Sequence, residues 1–231
     1  MRRAWALRMP REGGIYSIWV AALAYAAPLL WSRGLGTPAC LALLGSAAIL
    51  PASEHARVGS RTARILATLS VAAPYAAVAA SRLPGAAVVA LAGLLLYYAS
   101  LRLDPSLRPV VGGGLIAFHG SMLALSLGVD PLRSLVPVPY AVLGAAEASV
   151  RVSGPRASTR ALETCCGALL AVYALLALGP ASLQGAAVTA DLLARLAMWG
   201  SGLARRLSLK AYGVLEFARL TTVLLVLGLG P

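Results

Sequence analysis

Charge is what this sequence has least of. Only 12% of its 231 residues are Asp, Glu, Lys or Arg, and the acids number eight. That is too little to clothe a water-soluble surface of ordinary composition. Metal-binding and redox residues are equally scarce, with two histidines and three cysteines. Cys40, Cys165 and Cys166 all fall in apolar segments and two are adjacent, a poor arrangement for a disulfide framework or a zinc site. They read as small apolar packing residues. No Gly-rich phosphate loop, serine elbow or His/Glu metal set occurs, so neither a metal nor a cofactor is expected. The basic opening "MRRAWALRMPREGG" has no apolar core ending in a small-residue cleavage site, and the chain is expected to keep it.

What is present is apolar: 59% of the residues are hydrophobic, and the mean hydropathy is +0.80. A span of the ~30 Å hydrocarbon core needs about 17 to 25 residues. Nine runs approach that length, at about 15–31, 35–51, 63–81, 84–101, 109–128, 134–150, 161–179, 182–202 and 210–230, separated by Gly, Pro or charged residues. Basic residues accumulate in alternate breaks, fifteen in one set against three, Arg33, Arg82 and Arg133, in the other. That alternation is the positive-inside pattern. The expectation is an all-α polytopic integral membrane helix bundle of nine spans, multi-pass in the cell membrane, with the N-terminus cytoplasmic and the C-terminus outside. Residues 1–231 form a single transmembrane domain, of which 1–14 are a basic cytoplasmic segment. The net charge of +12 is then a matter of topology and of anionic lipid head groups at the cytoplasmic arginines, with no nucleic-acid partner. Partner subunits are not legible. The abundance of Ala and Gly, most extreme in "VVGGGLIAFHGS", suits close helix packing in lipid.

Two apolar runs break their own rule. "TADLLARLAMWG" carries Asp191 and Arg195, and "VLEFARL" carries Glu216 and Arg219. On antiparallel neighbouring helices, Asp191 meets Arg219 and Glu216 meets Arg195, while the spacings of four and three put each acid beside its own arginine. A lone charge at such depth costs at least about 2.5–3.5 kcal/mol, so the four are expected to pair or to face water. Two readings stand: a self-neutral clamp that docks the last helix, or a cytoplasm-facing pocket for an ion, a proton or a head group. The remaining acids, Glu12, Glu54, Asp104, Glu147 and Glu163, map to the cytoplasmic half, with only Asp130 outside. They form either a polar vestibule or a solvated rim. His119 lies deep in the fifth run beside Gly120, but His55 sits at the membrane edge, so a bis-histidine haem lacks its second ligand. His119 is expected to be a hydrogen-bonded packing residue.

"PREGGIYSIW" (Pro10 to Trp19) resembles the opening Pro-x-Glu-His-Gly-x-aromatic signature of the YwiC-like membrane proteins, and "YGVLEFARL" (Tyr212 to Leu220) is similar to that family's closing Gly-x-x-Glu-x-x-Arg helix. Gly13 stands where the signature has histidine. The resemblance implies that Glu12, Glu216 and Arg219 are family positions. In helix number the chain is also similar to the UbiA-superfamily prenyltransferases, whose aspartate-rich motifs follow their second and sixth helices. Here "PASEHARVGSRTAR" and "EASVRVSGPRASTRALE" occupy those places, with glutamates and arginines and no aspartate cluster. The function these readings lead to is a membrane protein with no complete catalytic motif. Its polar pocket is built from Asp191, Arg195, Glu216 and Arg219, with Glu12 at its mouth, and takes a small or lipid-like ligand. A divergent UbiA-like transferase and a small transporter are the alternatives.

Overall fold

The computed structural model describes residues 13–58, 60–81, 85–100, 102–103, 107–154, 156–179 and 181–229. Every regular element among them is helical. In chain order these are α1 (Gly13–Arg33), α2 (Thr37–Val58), α3 (Arg61–Ala79), α4 (Ala86–Ser100), α5 (Arg108–Ser126), the short α6 (Pro131–Ser134), α7 (Pro137–Ser153), α8 (Ala157–Tyr173), α9 (Leu183–Gly200), the short α10 (Leu203–Arg206) and α11 (Leu209–Gly228). Beyond Tyr173, α8 continues as a wider π-helical turn, Ala174–Leu178, which stops at Gly179 with φ 77°. Each of the nine apolar runs falls on a helix. Six of these helices are long and apolar enough to cross a membrane: α1, α3, α5, α7 counted from Pro131, α8 with its π turn, and α11. The apolar parts of α2 and α4 are shorter, at Thr37–Ala52 and Ala86–Tyr97.

Local chemistry sets the starts of the last helices. The Ser182 and Ser208 hydroxyls accept from the Gly185 and Ala211 amides at 2.9 and 3.1 Å, capping α9 and α11. Asp130 does the same for α6, accepting from Leu132 N at 2.9 Å. Between α9 and α11 the chain turns at Gly202, whose φ of 73° an L-residue rarely adopts.

The described residues of "PASEHARVGSRTAR" and "EASVRVSGPRASTRALE", which read in the sequence as the longest loops, are largely helix. α2 runs through Pro51 to Val58, and α7 carries Glu147 well inside its last turns. An apolar run ends where the bilayer core ends, but a helix satisfies its own backbone and continues into polar sequence. Apolar periodicity therefore marks the membrane-facing stretch of each helix and says little about its tip.

The core is organised around α5, whose residues from Gly113 to Leu125 are all buried, against α1, α2, α4 and α7. Close approach depends on glycine. A Cβ on Gly120 would lie 2.6 Å from Ala22 Cβ on α1, and one on Gly228 would lie 2.1 Å from the Tyr25 carbonyl oxygen. The first and last helices thus pack side by side, which brings α11 into the body of the bundle. α1 is pinned further by Trp19 Nε1, which donates to the Ser46 carbonyl and hydroxyl of α2 at 2.9 Å each.

Candidate functional site: a five-charge centre between α7, α9 and α11

The four charges singled out in the sequence do converge. Arg219 Nε stands 2.8 Å from Asp191 Oδ1, and Arg195 Nη1 stands 3.3 Å from Glu216 Oε2, so both pairs expected between α9 and α11 are formed. Within α9, Arg195 Nε donates to Asp191 Oδ2 at 3.0 Å. Within α11, Arg219 Nη1 lies 3.3 Å from Glu216 Oε1. Glu12, placed at the mouth by the sequence reading, lies outside the described residues.

A fifth charge joins them. Glu147 of α7 accepts from Arg195 Nη1 at 2.6 Å and from the Tyr212 hydroxyl at 3.2 Å. The expectation of a self-neutral quartet is therefore corrected: three carboxylates surround two guanidiniums, a formal net charge of −1. Nor is Glu147 a rim acid, because its side chain is 2% exposed. Its place was legible in principle. Counting 1.5 Å per residue, Glu147 sits about 9 Å from the end of α7, and Glu216 about 10 Å from the start of α11. The two acids share a depth, but α7 is far from α9 and α11 in sequence, and nothing local connects them.

Tyr212 is held in turn by Arg151, whose guanidinium carbon lies 5.0 Å above its ring and whose Nη2 donates to the Leu207 carbonyl. Tyr140, fully buried on α7, lies within electrostatic reach of Asp191, Arg195 and Arg219. Neither tyrosine carries a sequence signal for this role beyond lying one turn from an acid or on the same helix as one.

Burial is graded across the centre. The Glu147 and Asp191 side chains are 2% exposed and Arg195 is 4%, whereas Glu216 and Arg219 are 14% and 15%. Hydrogen bonding is graded the same way. Glu147 and Asp191 receive aligned bonds from Arg195, while the contacts of Arg219 are close ion pairs whose angles fall short of hydrogen bonds. Nη2 of Arg195 and Nη2 of Arg219 are both buried with no acceptor. Chemically, the arrangement offers guanidinium donors interleaved with carboxylates, and one tyrosine hydroxyl on a carboxylate. Among the described residues no three His, Cys, Asp or Glu side chains are placed to hold a metal ion.

Two other polar places are structural. His119 Nδ1 donates to the Leu115 carbonyl at 2.7 Å, and its ring meets Tyr75 edge-on at 4.8 Å, while the space beside Gly120 is taken by Ala22 of α1. At the opposite end of α9 and α11, Tyr25, Arg133, Tyr173 and Gln184 line a recess of about 30 Å³, room for about two water molecules.

No family model matches this chain, and no curated protein or solved structure is significantly similar to it.

Proposed function

We propose that the chain is a multi-pass protein of the cell membrane, related to the YwiC-like proteins, with nine spans and a cytoplasmic N-terminus. Its five-charge centre receives, from the cytoplasmic side, the acidic head of a small or lipid-like ligand. The observation that carries this reading is the incomplete pairing of the two arginines. A clamp built only to dock α11 would satisfy its own donors, since each buried donor left unpaired costs about 1–3 kcal/mol. Here two Nη2 groups stay unpaired in the middle of three acids. Phosphate or carboxylate oxygens answer the planar fork of a guanidinium, and Arg219, the more accessible arginine, is the first they meet.

Topology supports the direction of entry. Arg151, Arg156, Arg160, Arg205, Arg206 and Lys210 lie at the end of the bundle nearest the centre. They attract anionic head groups at about 1 kcal/mol per basic residue. α9 falls short as an apolar span by itself, and its one acid and one base offset each other in pairing with α11.

Native mass spectrometry of the protein purified in mild detergent tests the reading. Wild type is expected to retain an acidic lipid or amphiphile. Arg219→Lys keeps the charge but loses the fork, and is expected to retain about tenfold less, equivalent to about 1.4 kcal/mol. An empty wild-type protein, or equal retention by the variant, overturns the proposal.

A further inference from the structure

Tyr140, Gly144, Glu147 and Arg151 follow one another on α7 at spacings of four, three and four, and so share one face of the helix. Glu147 and Arg151 are engaged: the first with Arg195 and Tyr212, the second over the Tyr212 ring, where it brings a third guanidinium to the three acids. Tyr140 approaches from the other end. It stands about 10 Å outward of Glu147 along α7, and the charges that act on its hydroxyl are those of Asp191, Arg195 and Arg219. Tyr212 closes the cytoplasmic side of the centre with its hydroxyl bonded, whereas Tyr140 closes the deep side with a hydroxyl that is buried and has no hydrogen-bond partner. Phenylalanine would fill the same volume without that penalty. Gly144, one turn nearer the centre, leaves room. A Cβ there would meet one neighbouring side-chain atom within 4 Å, Glu216 Oε2 at 3.7 Å. Gly144 is half-buried, and Glu216 and Arg219 are the most accessible charges of the centre, so its open side lies where α7 carries no side chain and faces α11.

We propose that the acidic head rests between α7 and α11 at Gly144, with Tyr140 as its third donor, and that the ligand is a phosphate ester in preference to a carboxylate. The inference rests on reading the centre as a binding site. Its unpartnered donors stand on three helices: Arg195 Nη2 on α9, Arg219 Nη2 on α11 and the Tyr140 hydroxyl on α7. A carboxylate has two oxygens in one plane, and a single guanidinium fork takes both. A tetrahedral phosphate presents a separate oxygen to each helix and keeps its ester oxygen for the rest of the molecule. Tyr140 is then the residue that sets specificity, because it is the donor a planar head does not need.

Delipidated protein in mild detergent, titrated with dioleoyl phosphatidic acid, oleate or inorganic phosphate and followed by native mass spectrometry and thermal melting, tests this. Wild type is expected to bind phosphatidic acid at least about tenfold more tightly than oleate. Tyr140→Phe is expected to lose about tenfold for phosphatidic acid, to keep its affinity for oleate, and to melt without ligand no lower than wild type, since the hydroxyl removed had no partner. Gly144→Ala is expected to fold, its methyl group meeting nothing closer than Glu216, and to bind phosphatidic acid more weakly. Tyr140-dependent stabilisation by inorganic phosphate supports a free phosphate compound as the source, and stabilisation by phosphatidic acid alone supports a lipid. Equal affinity for phosphatidic acid and oleate, unchanged binding by either variant, or a ligand-free Tyr140→Phe that melts below wild type or fails to fold would overturn the assignment while leaving the binding reading in place. A wild type that binds none of the three probes would sink that reading, and the assignment with it.

Discussion

At Arg195 one guanidinium meets carboxylates from three helices: Glu147, Asp191 and Glu216. Removing a single partner from such a buried set costs about 3–5 kcal/mol, because the groups left behind keep their charge without their pairing. Arg219→Gln leaves Asp191 and Glu216 short of a cation, and is expected to lower the melting temperature in detergent. Adding Asp191→Asn removes one of the two stranded acids and is expected to recover part of the loss. A double variant no more stable than Arg219→Gln alone would show that Asp191 and Arg219 are not coupled. These two pairings were readable from the sequence, since spacings of four and three fix a helical face and a short connection makes α9 and α11 neighbours. Glu147 was not. Its partner lies 48 residues away, and depth in a membrane is shared by every helix that reaches it.

At the scale of the element, glycine decides which helices touch. Gly228 faces the backbone of α1 at Tyr25, and backbone cannot move aside as a side-chain tip can. Gly228→Ala is expected to push α11 from α1 and destabilise the protein by about 1–3 kcal/mol. Gly167→Ala on α8, where nothing lies within 4 Å, is expected to melt as wild type. Equal melting of the two variants would mean that α1 and α11 do not meet in this register. The sequence showed an abundance of small residues but not their partners, because a glycine looks the same whether it opens onto a neighbouring backbone or onto lipid. The helix tips of α2 and α7 escaped for a related reason: hydropathy reports the solvent around a helix, and Glu54 and Glu147 lie where that report ends and the helix does not.

For the whole molecule, the alternation of arginines implies an orientation that can be measured directly. With the native cysteines replaced, a membrane-impermeant maleimide applied to intact cells is expected to label Leu132→Cys, on the exposed face of α6, and to spare Arg206→Cys at the end of α10. Labelling of both, or of Arg206→Cys alone, would sink the proposed topology. Depth, charge and helix order then combine in how the chain enters the bilayer. Asp191 with Arg195, four residues apart, and Glu216 with Arg219, three apart, mean that α9 and α11 each arrive at the insertion machinery already neutralised from within. Glu147 has the same kind of companion in Arg151, four residues along α7, so each of the three acids of the centre enters with a basic residue on its own helix.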